Sequence, residues 1–327
     1  MGGDFGPRAA LPAALASLQQ FPQLQLTLVG DPAVIEPALA ADAAAASRCS
    51  IVAADQVVEM SDRPSQALRQ KPRSSMRLAL DRHAIGEADA VVSAGNTGAL
   101  MAMGVVLLKT LPGIDRPAIC AAVPARGQPC YLLDVGANVD CSAEQLRQFA
   151  AMGSALVSAL TGAAAPRLGL LNIGAEAGKG NEQVKEAAAL LAQESHLNYV
   201  GFVEADGIFS GAVDVVVCDG FAGNVVLKAC EGTATLVAEK IRGGFNRGAL
   251  ARLLGVLAAP VLNALRRELD PQRYNGACLL GLRGVVVKSH GNSTAAGFQQ
   301  AIACAVAAVE RELPHLITQR LAQAVVG

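Results

Sequence analysis

Short apolar runs alternate along this chain with longer stretches in which apolar residues return every three or four positions. The short runs predict strands over Leu24 to Val29, Ser50 to Ala53, Asp89 to Ser93, Ala118 to Val123, Cys130 to Val135, Arg167 to Asn172, Asn198 to Gly201, Val213 to Cys218 and Gly284 to Lys288. The helical spacing predicts helices over Ser74 to Ile85, Gly98 to Lys109, Ser142 to Leu160, Glu182 to Glu194, Val225 to Ile241 and Ala295 to Ala322. Most of the strands carry Val, Leu and Ile on both faces, as a sheet covered on both sides requires. Alternating strands and helices predict an α/β class, a three-layer α/β/α sandwich with a mostly parallel sheet, in one domain over residues 1–327. The short polar turn Arg126-Gly-Gln-Pro129 predicts a hairpin, which makes the sheet mixed.

Residues 240–269 break this rhythm. Lys240, Arg242, Arg247, Arg252, Arg266 and Arg267 occur there without an acid between them, while Leu250, Leu253, Leu254, Leu257, Val261, Leu262 and Leu265 fall near one helical face. The segment reads as a helical insertion projecting from the sheet, with Pro260 expected to kink it or divide it into a hairpin. Its apolar face suits packing on the core or on a second subunit; its basic residues suit a membrane or an acidic partner.

Composition narrows the function. A hydrophobic share of 52% supplies a large core, and a formal charge of -1 with 3% aromatic residues and no Trp argues against nucleic-acid binding. The eight cysteines are scattered without a CxxC pair, so they read as small core residues in a reducing, cytoplasmic compartment. Neither a leader pattern nor a run of ~18 uncharged apolar residues is present.

Five apolar runs end in turns of glycine and asparagine that open helical patterns. They are Ser93-Ala-Gly-Asn-Thr-Gly98, Asp134-Val-Gly-Ala-Asn138, Asn172-Ile-Gly-Ala-Glu-Ala-Gly-Lys-Gly-Asn181, Asp219-Gly-Phe-Ala-Gly-Asn224 and Ser289-His-Gly-Asn-Ser293. If the runs are parallel strands of one sheet, all five turns share one edge, where bare peptide N–H groups and helix N-termini hold anions. A GxGxxG after a strand, a GxxxxGK[ST] loop and a GxSxG elbow are all missing, and His83, His196, His290 and His315 lie far apart. Direct attack between two bound substrates, with no cofactor and no metal, is therefore expected. Amide side chains and glycine N–H groups stabilise a developing oxyanion, and a lysine neutralises an anionic nucleophile. The substrate-binding candidates are Gly95, Asn96, Thr97, Gly98, Gly136, Asn138, Gly178, Gly180, Asn181, Gly220 and Gly223; Lys179 and His290 are the charged or titratable ones. Asn and Gly also serve as ordinary caps and turn residues. Asp134, Asp140, Glu176 and Asp219 are expected to orient lysine or backbone groups, since a carboxylate repels phosphate.

The blocks SAGNTGA, LLDVGANVD, GLLNIGAEAGKGNE, VVVCDGFAGNVVLK and KSHGNS, preceded by MGGDFGP, resemble the PlsX family, the phosphate acyltransferases of bacterial phospholipid synthesis. The resemblance runs from Met1 to about Glu310. It implies transfer of a long acyl chain from the thioester of acyl carrier protein to inorganic phosphate, giving acyl phosphate for a downstream glycerol-3-phosphate acyltransferase. It also implies a homodimer that is cytoplasmic and peripherally membrane-associated, with Lys179, Asn224 and His290 as catalytic residues and with Asn96 and Asn138 lining the same cleft as His290. The family's protruding hairpin corresponds to the insertion, whose expected contact residues are Leu250, Leu253, Leu254, Leu257, Val261 and Leu265. Arg73, Arg77 and Arg82 are expected docking points for the acidic carrier. Rival readings are a phosphate acetyltransferase using coenzyme A and a membrane-associated scaffold without activity. Family chains usually open with a short apolar strand ahead of the Met-Gly-Gly-Asp block, so the resemblance implies a first strand upstream of Met1. The closing motif has Asn292 where Ser is frequent.

Overall fold

Strand residues alternate between two cores, which explains why the apolar runs carry no polar face. In the strand Ala118–Val123, Ala118 and Cys120 pack on one side of the sheet while Ile119 and Ala121 pack on the other; in the strand Val215–Val217, Val215 and Val217 oppose Val216 in the same way. The structure is a computed structural model describing residues 1–268 and 270–323. Its N-terminal part runs α1 (Pro7–Gln20), β1 (Leu26–Gly30), α2 (Pro32–Ala40), α3 (Ala43–Ala46), β2 (Cys49–Ala53), α4 (Pro64–Gln70), α5 (Ser75–Ala84), β3 (Ala90–Ser93) and α6 (Thr97–Leu108). There follow β4 (Ala118–Val123), β5 (Cys130–Leu133), α7 (Ala143–Thr161), β6 (Arg167–Leu171), α8 (Glu182–Leu191), β7 (Asn198–Val203) and β8 (Val215–Val217). The last part is α9 (Gly220–Phe245), α10 (Ala249–Glu268), β9 (Ala277–Leu280), β10 (Val285–Lys288), α11 (Ala295–Glu310) and α12 (Leu313–Gln323).

The fold is α/β, with an eight-stranded sheet in the order β3-β10-β9-β4-β5-β8-β6-β7 and a separate parallel ribbon, β1-β2. Helices α7, α8, α11 and α12 cover one face of the large sheet through Phe149, Leu191, Ala305 and Ile317. Helices α5 and α6 cover the other through Leu80, Leu100 and Met103. The longest buried helix, α7, starts at a capping box between Ser142 and Gln145 and stops at Gly162 in the left-handed conformation.

The expected hairpin forms, with Val123 opposite Cys130. Strand β9, unread in the sequence, pairs antiparallel with both β10 and β4. Three antiparallel pairings thus separate β10 from β5, and the two halves of the sheet point in opposite directions. This overturns the expectation of one shared edge. The turns after β5, β6 and β8 gather at one end of the strands, and those after β3 and β10 gather at the other.

Two helix expectations also change. The stretch 295–322 is two helices, broken at Glu312, whose φ of 49° is left-handed, just ahead of Pro314. In the insertion, α10 runs through Pro260, and the hairpin bends earlier, between Phe245 and Ala249. The arms meet where the Phe245 ring packs against Gly255, whose missing side chain leaves the room.

Candidate functional site

Asp134 organises the turn after β5. Its Oδ1 accepts the backbone N–H groups of Ile119, Gly136 and Ala137, and its Oδ2 accepts the backbone N–H and the Nδ2 of Asn138. The residue is fully buried, and burial raises its pKa against the pull of these donors. Asn138 gives a further side-chain bond to the Pro117 carbonyl at 2.9 Å. Its amide hydrogens therefore hold the turn in shape rather than face a ligand, which corrects its expected role.

The first turn of α9 closes on this hub. Gly220 donates its N–H to the Asn138 carbonyl at 2.7 Å, and Asp219 caps the helix by accepting from Ala222. Gly223 lies so near the Asp134 carbonyl that any Cβ there would overlap it, so the close approach requires glycine. Asn224 comes next, with its side chain 3.7 Å from the position a Cβ on Gly136 would take. It is exposed and its amide has no hydrogen-bond partner among the described residues. The N–H of Phe221 is likewise without a partner among the described residues, at the positive end of the helix dipole.

The turn after β6 lies beside this one, because β6 and β5 flank β8. Asn172 donates its amide to the Lys179 carbonyl at 3.1 Å, and Gly180, at a φ of 93°, passes so close to Asn172 that a side chain is excluded. Lys179 is exposed on this folded loop, with its stem against Gly174, and it forms no ion pair among the described residues. Asn181 is spent as the cap of α8, accepting from Val184. Gly178 is exposed beside Lys179.

At the other end of the strands, Asn96 is fully used. Its Nδ2 reaches the carbonyls of Glu59, Met60 and Asp62, and its Oδ1 caps α6 by accepting from Ala99. Packing accounts for Gly95 and Gly98 too: Met76 and Gly2 crowd the first, and Pro64 crowds the second, while Thr97 is the first residue of α6. His290 sits here with its Nε2 3.6 Å from Glu231 Oε1 on α9. Burial lowers the His290 pKa, partly opposed by Glu231. Lys288 is buried and donates to the carbonyls of Ala94 and Ser289; burial lowers its pKa to about 8.

Helix α9 connects the two ends. Glu231 is seven residues beyond Asn224, or ~10 Å along the helix axis. The sequence expectation that His290 and Asn224 share a cleft thus becomes a spacing of about two helical turns. Glu231 and its partner Lys228, at 2.7 Å, were legible only as an i,i+3 pair on a helix and gave no other signal. Cys141 is no nucleophile candidate, since burial and the nearby Asp134 push its thiol up to about 12. Arg73, Arg77 and Arg82 pair with Asp55, Asp81 and Glu87, which reduces what they offer an acidic partner.

The insertion presents Leu250, Leu253, Leu254, Leu257 and Val261 to the outside, the last at 72% exposure, so apolar surface of this extent lacks cover in the chain itself. The Leu265 side chain lies outside the described residues. Among the described residues, no helix is long and apolar enough to cross a membrane.

A family model described as "Fatty acid synthesis protein" matches residues 1–316. A phosphate acyltransferase of Pseudomonas syringae pv. syringae (strain B728a) is 56% identical over 322 residues, covering 98% of this chain and 94% of that protein. One from Stutzerimonas stutzeri (strain A1501) is 54% identical over 324 residues, covering 99% of this chain and 91% of that protein. Among solved structures, a phosphotransacetylase from Streptococcus pyogenes superposes with a TM-score of 0.62 at 16% identity, covering 93% of this chain and 92% of that one. That likeness bears on the fold alone.

Proposed function

Because the chain belongs to the phosphate acyltransferase family, we propose that it moves a long-chain acyl group from the thioester of acyl carrier protein to inorganic phosphate, for phospholipid synthesis. The observation that carries the reading is the state of Asn224: its neighbours' amides are consumed in holding the turns, and its own is unspent beside Gly136 and the first turn of α9. Phosphate binds against Lys179 and the bare N–H groups of the flanking turns. A phosphate oxygen attacks the thioester carbonyl; Asn224 donates to the oxyanion, which collapses as the C–S bond breaks and the carrier thiolate leaves. Asp134 and Asn138 keep the turn rigid, and His290 positions α9 through Glu231.

The exposed leucines of α10 and the basic residues Arg242, Arg247 and Arg252 support peripheral contact with an anionic membrane, where an acyl product partitions. Leu236 and Val237 leave an apolar outer face on α9 that suits a homodimer.

The test mixes purified protein, palmitoyl carrier protein and phosphate, and follows free carrier thiol together with hydroxylamine-trapped acyl phosphate. Phosphate-dependent appearance of both, reduced at least tenfold in kcat/KM for phosphate by Lys179→Ala, is the expected result. Turnover of acetyl-coenzyme A but not of the palmitoyl carrier would replace this reading by the acetyltransferase one.

A further inference from the structure

None of the eight cysteines is in a disulfide, and the proposed reaction uses none of them. Two of them nevertheless meet. Cys278 of β9 and Cys304 of α11 stand 26 positions apart in sequence, yet their Sγ atoms lie 3.4 Å from one another. Gly276 makes the approach possible. A Cβ there would fall 3.1 Å from both the Ala301 Cα and the Cys304 Cβ, so the bare backbone lets α11 settle against the chain that enters β9. The Cys304 thiol donates to the Gly276 carbonyl at 3.5 Å.

The two thiols differ in access and in acidity. Cys278 is 2% exposed and stands opposite the buried Cys120 of β4, whereas Cys304 is only partly buried. The hydrogen bond between the two sulfurs, and then burial, raise the Cys278 thiol well above its ordinary range; the same bond lowers Cys304 against the effect of burial. Burial raises each of the other six cysteines. Thiolates are the form that attacks oxidants, so a partly accessible sulfur with a thiol donor beside it is the one most exposed to peroxide.

We propose that Cys304 and Cys278 form a peroxide-reactive site, with Cys304 as the attacking sulfur and Cys278 as the resolving one, which closes into a reversible disulfide between α11 and β9. In the first step the Cys304 sulfur attacks a hydroperoxide: an S–O bond forms, the O–O bond breaks, and the departing alkoxide or hydroxide leaves with the Cys304 thiol proton. The product is a sulfenic acid. In the second step the Cys278 sulfur attacks that sulfur, the S–S bond forms, the S–O bond breaks, and hydroxide leaves as water with the Cys278 proton. The two thiols together give the peroxide two electrons, and a dithiol returns them. A bonded pair stands ~2.05 Å apart, so the sulfurs close by a further ~1.3 Å, which partial rotation about the two Cα–Cβ bonds supplies.

The bond would reinforce a joint that is already polar. Asn275, three residues before Cys278, accepts the His290 N–H at 2.9 Å and donates its amide to the hydroxyls of Ser289 and Ser293 and to the Gly297 carbonyl. These contacts fasten the turn between β10 and α11. A disulfide adds a covalent tie between α11 and β9 beside the same residue.

The experiment treats the reduced, purified chain with stoichiometric hydrogen peroxide and reads free thiols, peptide masses and melting temperature before and after a dithiol is added. Loss of two thiols, a linked pair of peptides carrying Cys278 and Cys304, and a rise in melting temperature of at least about 3 °C, all reversed by the dithiol, are expected. Cys304→Ser should form no disulfide, while Cys278→Ala should leave a sulfenic acid that dimedone captures at Cys304. If Cys278→Ala fails to fold, the parent chain is treated with peroxide and dimedone together, and capture at Cys304 is expected. Capture at Cys278, faster oxidation of Cys49 or Cys230, a disulfide joining any other pair or two chains, or a Cys304 sulfinic acid without a disulfide each overturns the proposal.

Discussion

A single oxygen of Asp134, Oδ2, accepts both the backbone N–H of Asn138 at 2.7 Å and its side-chain amide at 3.0 Å. The pair folds the turn against which α9 begins, and it is buried from end to end. Replacing Asp134 by Ala strands four backbone donors and one side-chain donor at once. A loss of at least about 3 kcal/mol in urea unfolding is expected. Asn138→Ala, which frees the Pro117 carbonyl and one acceptor site, should cost about half as much. Losses under about 1 kcal/mol for Asp134→Ala would mean that the turn holds itself.

Asn224 gives the opposite outcome. Its side chain makes no hydrogen bond among the described residues, so Asn224→Ala should leave the melting temperature within a few degrees of the parent. Turnover should still fall by about 10²-fold, the usual effect of removing one oxyanion donor. Stopped assays of acyl phosphate, alongside calorimetry on the same preparation, separate the two effects. A variant that keeps full turnover removes Asn224 from the mechanism.

Lys288 makes stability depend on pH in a defined direction. Its folded pKa, about 8, lies below the ordinary 10.5, so above pH 8 the unfolded chain holds this proton more tightly than the folded one. Stability from this group therefore rises as pH increases from 8 toward 10.5, and the cost of a buried charge is greatest below pH 8. Relative to Lys288→Met, the parent should gain about 2 kcal/mol between pH 7 and pH 9.5. A constant difference between the two proteins across that window would show that Lys288 is well solvated.

The exposed face of α10 is separable from the chemistry. Leu253→Ser with Leu257→Ser should reduce cosedimentation with anionic phospholipid vesicles severalfold while leaving turnover of soluble palmitoyl carrier protein unchanged, since neither side chain touches the turns. Parallel loss of both activities would place the tip in the reaction itself.

Strands such as Ala118–Val123 and Val215–Val217 were legible because helices on both faces demand unbroken apolar runs, and the family blocks were legible because turn residues stand at fixed offsets. Strand direction was not. Ala277–Leu280 is only one short run, and nothing local records that it lies antiparallel between β10 and β4. That one omission placed His290 on the wrong end of the sheet relative to Asn224. The roles of Asn96 and Asn138 were hidden for a related reason: an amide that faces a ligand and one tied to Met60 or Pro117 look identical in sequence. Glycine was a better guide at Gly180 and Gly223, where neighbouring atoms exclude a side chain.

Helix α9 is unbroken from Gly220 to Phe245, 26 residues or ~39 Å. A rod of that length without a proline has no joint at which a displacement is absorbed. Whatever docks at its distal end tilts the whole lever, and Asn224 moves with the fulcrum.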